Sequence, residues 1–147
     1  MCGIERASVT LHVGLGTFLP VQTDDYRQHV MHAEWGELSA PAVQALRECK
    51  ARNGRVVAVG TTAMRVLETA VQSGELQTWS GETDLFIYPP YRFRVVDGIV
   101  TNFHLPRTTL LLLVGAFAGV ELLERAYAEA IGQRYRFFSY GDAMLIL

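Results

Sequence analysis

The sequence predicts an α/β domain, and three observations carry that expectation. A helix signal, a short apolar strand signal and a second helix signal follow one another between residues 39 and 74, the order of an α/β unit. Half of the 147 residues are apolar, enough to build one packed core without disulfide staples. Only 19% are charged, a balance that a disordered chain does not show.

The elements follow in chain order. Residues 8–13, Ser-Val-Thr-Leu-His-Val, are rich in β-formers and read as a strand. They run into Gly14-Leu15-Gly16-Thr17-Phe18-Leu19-Pro20, a glycine-rich turn. Residues 24–37 carry scattered charges and no clear period. A helix begins at Ser39, a candidate cap, with Pro41 in its first turn and Val43, Leu46 and Cys49 at helical spacing. Asn53-Gly54 ends it, with Gly54 expected in the left-handed conformation. Residues 55–59 are a continuous apolar run headed by Arg55, the mark of a buried parallel strand. Gly60-Thr61-Thr62 leads into a helix over 63–73, closed by Gly74. Short strands are expected at 84–88, 92–96 and 99–101, with Pro89-Pro90 and Asp97-Gly98 as turns. The Asp-Gly pair suggests a hairpin between the last two. Thr108 or Thr109 caps a helix reaching Phe117 that is apolar on nearly every face, and so expected to be buried all round. Gly119 interrupts it, residues 121–131 form another helix, and a final strand closes the chain. No composition shift marks a linker, so residues 1–147 are read as one domain.

Composition excludes several classes. Two cysteines, Cys2 and Cys49, make neither a disulfide framework nor a four-cysteine zinc site. No charged segment followed by an apolar stretch opens the chain as a secretory signal would. The longest apolar run, from Leu110 to Val120, is 11 residues, whereas a membrane helix needs about 20. The expectation is a reduced, cytoplasmic protein with no membrane partner. The net charge of −2 argues against a dedicated nucleic-acid module. Yet Lys50 is the one lysine among thirteen cations, and the rest are arginines, which suit bidentate phosphate contacts.

Five segments contain residue types that carry chemistry. Gly60-Thr61-Thr62, between a strand and a helix, offers free backbone N–H groups to a carboxylate or phosphate, with Arg65 one turn on; the same threonines can simply cap the helix. It lacks the Gly-Lys-Ser/Thr ending of a Walker loop. Gly14 and Gly16, with Thr17, let backbone approach a ligand closely, or form a tight turn. They do not complete a dinucleotide fingerprint, because Leu19 stands at the third glycine position. His12 alternates among apolar neighbours, as a core histidine does. Asn102 and His104 lie at a strand end before a helix, where open α/β sheets place their sites; Asn102 and Pro106 also suit a plain turn. Tyr140-Gly141-Asp142 reads as a turn with an available carboxylate. His29, His32 and Glu34 match no standard zinc spacing.

In combination and in order these segments resemble one family. His12-Val-Gly-Leu-Gly-Thr-Phe18, Val59-Gly-Thr-Thr62 with Arg65 and Glu68, Phe86-Ile-Tyr-Pro89, Thr101-Asn-Phe-His-Leu-Pro106 and Arg136-Phe-Phe-Ser-Tyr-Gly-Asp-Ala-Met144 are similar to the C-terminal part of the S-adenosylmethionine:tRNA ribosyltransferase-isomerases of queuosine biosynthesis. The chain departs from the family pattern at Ala63, Thr108 and Gly115, each a serine position there. The family is more than twice as long, so the resemblance implies a chain that begins mid-protein and a barrel-like α/β fold left incomplete without the N-terminal part. That part is then a covalent or separate partner.

The resemblance also implies the chemistry. The ribosyl part of S-adenosylmethionine, the co-substrate, is transferred to 7-aminomethyl-7-deazaguanine at the wobble position of a tRNA with a GUN anticodon. It rearranges to give epoxyqueuosine, and no metal is required. His12, Asn102 and His104 become the candidate catalytic residues. Gly14, Gly16, Thr17, Gly60, Thr61, Thr62, Arg65, Tyr140 and Asp142 become the candidate co-substrate contacts. Arg92, Arg94, Arg134 and Arg136 are candidate phosphate contacts for the tRNA. The alternatives are a truncated S-adenosylmethionine-binding module and an inactive remnant.

Overall fold

The computed structural model of the chain describes residues 3–147; Cys2, counted above, lies outside them. Among the described residues the strands are β1 (Thr10–Leu11), β2 (Glu34–Leu38), β3 (Val57–Val59), β4 (Trp79–Thr83), β5 (Gly98–Asn102) and β6 (Ala143–Ile146). The helices are α1 (Ala40–Ala51), α2 (Thr61–Ala70), α3 (Thr109–Ala118) and α4 (Val120–Gly132). The architecture is mixed α/β. The strands divide into two three-stranded sheets and do not close a barrel among these residues. The first sheet is antiparallel, in the order β1-β2-β4. In the second, ordered β3-β5-β6, β3 and β5 run parallel and β6 is antiparallel to β5.

Helix α2 joins the two halves. It packs on β1 and β2 of the first sheet and on β3 and β5 of the second. Met64, Arg65, Val66, Leu67, Glu68 and Ala70 are all buried, so hardly any of its faces meets water. Such a helix is usually apolar throughout. This one carries an arginine and a glutamate, each buried against a specific partner. The helix expected to be buried all round, α3, is not: Leu110, Leu111 and Leu112 are only half-buried, while Thr109, Leu113, Val114 and Gly115 face the interior. Thr108 caps it as predicted, accepting from Leu111 N–H at 3.2 Å.

Two strands escaped the sequence reading, and their burial explains why. In β2 the buried positions are Glu34, Gly36 and Leu38, and the exposed ones are Trp35 and Glu37. That inverts the usual apolar-in, polar-out alternation. Gly36 is required there, because a Cβ would meet Leu11 Cδ1 and Trp79 Cζ3, both at 2.9 Å, from the two flanking strands. β4 is largely polar, Trp-Ser-Gly-Glu-Thr, and exposes Ser80 and Glu82.

Two expected strands are absent. Residues 92–96 join no ladder because a side chain takes their N–H groups. Glu68, fully buried on α2, accepts from Arg94 N–H, Val95 N–H and Val96 N–H at 3.0–3.3 Å, and from Tyr91 Oη at 3.4 Å. A buried carboxylate needs several donors, and this segment supplies them. The Asp97-Gly98 hairpin is lost with it. Asp97 instead holds Lys50 Nζ at 2.6 Å and Val56 N–H at 2.7 Å, tying α1 to the start of β3. Residues 84–88 pack by their rings, Phe86 on His29 and Tyr88 on Tyr26.

Smaller corrections concern boundaries. The strand expected over 8–13 shortens to β1, and 15–18 form a 3₁₀ turn. The strand expected from Arg55 begins at Val57. Ser39 is the N-cap of α1 but makes no side-chain capping bond. At the end of α1, Asn53 rather than Gly54 takes the left-handed conformation, with φ 58°. Asparagine tolerates that region, and a Cβ on Gly54 would crowd Cys49.

Candidate functional site

The parallel pair β3–β5 organises one candidate site. Val59 pairs with Val100, and Gly60 N–H donates to Val100 O at 2.8 Å. Gly60-Thr61-Thr62 and Asn102-Phe103-His104 therefore leave the same, carboxyl-terminal end of the second sheet. That end is where open α/β sheets hold ligands. The N-cap of α2 is Gly60 itself, at φ 90° and ψ 150°. An L-residue is strained there. Lacking a side chain, Gly60 cannot cap the helix, and the expected capping by Thr61 or Thr62 does not apply to residues already inside it. The first-turn N–H groups and the positive end of the helix dipole are thus left without a side-chain cap.

β6 enters beside this end. Asn102 pairs with Ala143, and Asn102 Nδ2 donates to Asp142 O at 2.9 Å. Phe138 N–H donates to Phe103 O at 2.9 Å, so the 136–142 loop is stitched to the 102–104 segment. Asp142 also accepts from Arg136 N–H at 2.6 Å and from its guanidinium at 3.0 Å. The Arg136 bonds hold the Asp142 carboxyl down to about 2. Tyr140, on the same loop, is exposed.

His104 is held at both ends. Its N–H donates to Tyr127 Oη at 2.7 Å, and its Nε2 lies 2.8 Å from Thr101 Oγ1. Burial lowers its pKa to about 4, so the ring is neutral at pH 7. Phe103, buried between them in sequence, packs edge-on against Tyr127 and Tyr135.

A second group of predicted residues meets elsewhere. Glu34, on β2 and 3% exposed, receives Gly14 N–H at 2.7 Å and the Thr17 hydroxyl at 2.5 Å on one oxygen. Its other oxygen receives Arg65 Nη1 at 2.5 Å. Burial pushes the Glu34 carboxyl up, but Thr17, Gly14 and Arg65 together hold it below its usual value. The glycine-rich turn thus grips a carboxylate, and that carboxylate belongs to the chain itself. Arg65 Nε and Nη2 keep no partner among the described residues. The ring of His32 fills the space a Cβ on Gly16 would need. Glu34 stands in the sequence beside His29 and His32, and the residues that grip it lie far from it along the chain. No three His, Cys, Asp or Glu side chains gather to hold an ion among the described residues.

His12 lies apart from His104, at the end of β1 in the first sheet. It is exposed rather than a core residue, its N–H donates to Trp35 O at 2.8 Å, and its ring meets Trp35 edge-on at 5.2 Å. Of the candidate phosphate contacts, Arg136 is engaged by Asp142, and Arg94 Nη1 donates to Val71 O at 3.4 Å. Arg92 and Arg134 are exposed.

Comparison with known proteins decides the family. A family model described as "Queuosine biosynthesis protein" matches residues 1–146. The chain belongs to that family. Among its relatives, the S-adenosylmethionine:tRNA ribosyltransferase-isomerase of Acaryochloris marina is 59% identical over 99% of this chain and 39% of its own length. The protein of the same name from Acidithiobacillus ferrooxidans is 60% identical over 98% of this chain and 42% of its own. The crystal structure of the S-adenosylmethionine tRNA ribosyltransferase of Thermotoga maritima superimposes with a TM-score of 0.78 at 50% identity, covering 96% of this chain and 44% of that one. The chain therefore spans about two fifths of the length of the family members it matches.

Proposed function

We propose that this chain supplies the S-adenosylmethionine end of a tRNA ribosyltransferase-isomerase. In that reaction it transfers and isomerises the ribosyl group onto 7-aminomethyl-7-deazaguanine at the wobble position of a GUN-anticodon tRNA, in the cytoplasm. The observation that carries the reading is identity of 59% along nearly the whole chain with a relative of that name. The convergence of Gly60–Thr62, Asn102, His104 and Asp142 on one end of the second sheet supports it. In this reading the two small sheets are parts of a barrel-like fold that an N-terminal part, covalent or separate, completes.

The roles follow from the chemistry. The uncapped N-terminus of α2 at Gly60-Thr61-Thr62 takes the carboxylate of the methionine moiety, and the exposed ring of Tyr140 lies against the adenine. Asn102 and Asp142 hydrogen-bond the ribose. The sulfonium makes the neighbouring C–H acidic, so a side-chain base suffices to remove its proton, and departing adenine needs a proton donor. His12 and His104 are the candidates for those two duties or for orienting the sugar. Gly14, Thr17 and Arg65 act through Glu34, fixing the first sheet to α2 rather than touching the co-substrate, and Gly16 makes room for the His32 ring. No step calls for a metal. Arg92 and Arg134 are the freest of the four arginines to meet tRNA phosphate, and each such contact steepens the salt dependence of binding.

The test is chromatographic detection of adenine released from S-adenosylmethionine in the presence of tRNA bearing the 7-aminomethyl base. Release dependent on that tRNA is the expected result. Because the chain matches about two fifths of its relatives' length, a second reading is a binding module without turnover. It predicts calorimetric binding of S-adenosylmethionine with no adenine release, and an inactive remnant predicts neither.

A further inference from the structure

We infer that Thr101 is a positioning residue that fixes His104 as the tautomer protonated on Nδ1, so that His104 presents an N–H donor to an acceptor oxygen or nitrogen of the substrate instead of a basic lone pair. The inference rests on the placement of His104 in the proposed site and adds which ring nitrogen faces the substrate and in what state.

The argument is one of hydrogen-bond accounting. Thr101 lies on β5, 3% exposed, and among the described residues its hydroxyl has one partner, His104 Nε2 at 2.8 Å. Two arrangements fit that distance. If Nε2 carried the proton and donated to Oγ1, the hydroxyl hydrogen would be buried with no acceptor among the described residues, an unfavourable arrangement. If the hydroxyl donates to Nε2, both groups are satisfied and the ring proton sits on Nδ1. Nδ1 itself has no partner among the described residues, which leaves it for a ligand. The tautomer is thus set by the one acceptor open to a buried hydroxyl. Tyr127 Oη accepts from the backbone N–H of the same residue at 2.7 Å and fixes its main chain, while the ring itself is held by the Thr101 bond. The burial that keeps the ring neutral keeps this arrangement in place at pH 7.

A neutral imidazole donating from Nδ1 is a poor general base. It is well suited to polarise or orient a ribose oxygen or a purine ring nitrogen. Proton removal beside the sulfonium then falls to another group.

Nitrogen-15 NMR of the histidine-labelled chain at pH 7 tests this without turnover. Loss of one signal set in His104→Gln assigns the ring among the four histidines. The expected result is a neutral ring with its proton on Nδ1 in the wild type. Thr101→Ser should retain it, and Thr101→Val, which keeps the shape and removes the donor to Nε2, should lower the Nδ1-protonated fraction and admit the Nε2 tautomer. A wild-type ring protonated on Nε2, or a Thr101→Val ring unchanged from wild type in a folded chain, would overturn the inference. Adenine release reports separately on the enzyme reading: its absence with the Nδ1 tautomer intact would sink that reading and leave the tautomer assignment standing.

Discussion

The glycine-rich turn at residues 14–17 and the α2 N-terminus at residues 60–62 use the same chemistry to opposite ends. Each follows a strand, and each combines glycine with threonine hydroxyls and backbone N–H groups. At the first, Gly14 N–H and the Thr17 hydroxyl close on Glu34, whose charge is balanced by Arg65. At the second, Gly60 offers no side-chain cap, and it leaves the same end of the second sheet as the segment carrying Asn102 and His104. An anion-binding arrangement that the chain fills from within is architecture. One that it leaves open at the carboxyl end of a parallel pair is where the proposed function puts the co-substrate.

The largest effect expected from breaking this comparison is at the closed region. Glu34→Ala leaves the Arg65 guanidinium buried without its counter-charge, and denaturant unfolding should record a loss of about 3–5 kcal/mol. A loss below about 1 kcal/mol would mean the pair is not the clamp described. Next is an acid effect on the open region. The unfolded His104 takes up a proton near pH 6.5, but the folded one resists until about 4. The unfolded state therefore binds more protons between those values, so stability falls as the pH drops from 6.5 to 4, by about 3 kcal/mol for this group. His104→Gln should remove that part of the slope, and an unchanged slope would contradict it. Glu68→Leu should cost about 2–3 kcal/mol by stranding the N–H groups of residues 94–96, read as a lowered unfolding midpoint. Thr62→Ala should be the mildest to the fold, within about 0.5 kcal/mol. It should nonetheless weaken S-adenosylmethionine about tenfold, equivalent to about 1.4 kcal/mol.

The same contrast explains what the sequence made legible. Helices α1, α3 and α4 were readable because local spacing and caps specify them, whereas the 55–59 run showed a strand but neither its parallel partner β5 nor the exposure of Val57 and Val59. Gly60, Asn102 and His104 were legible as separate strand-end candidates, and only the β3–β5 pairing brings them to one end of a sheet. β2 was not readable, because its buried face is Glu34, Gly36 and Leu38, and that choice makes sense only when Thr17 and Arg65, distant in sequence, are seen around Glu34. Residues 92–96 misled in the opposite way. They have the propensity of a strand, yet their N–H groups are claimed by Glu68 from another element. Signals carried by one segment survive the reading, whereas a buried charge redirects backbone in ways no local window reveals. Nothing in the neighbourhood of Gly14, Thr17 and Arg65 names Glu34 as the carboxylate they bind.

The most direct test of the open-and-closed distinction is titration calorimetry of S-adenosylmethionine into this chain and into Thr62→Ala, Asn102→Ala and Thr17→Ala. The account predicts that Thr62→Ala and Asn102→Ala each lose about tenfold or more in affinity, while Thr17→Ala, once shown to be folded, stays within about threefold of the wild type. Affinity abolished by Thr17→Ala and untouched by the other two would place the ligand at the glycine-rich turn and contradict the account.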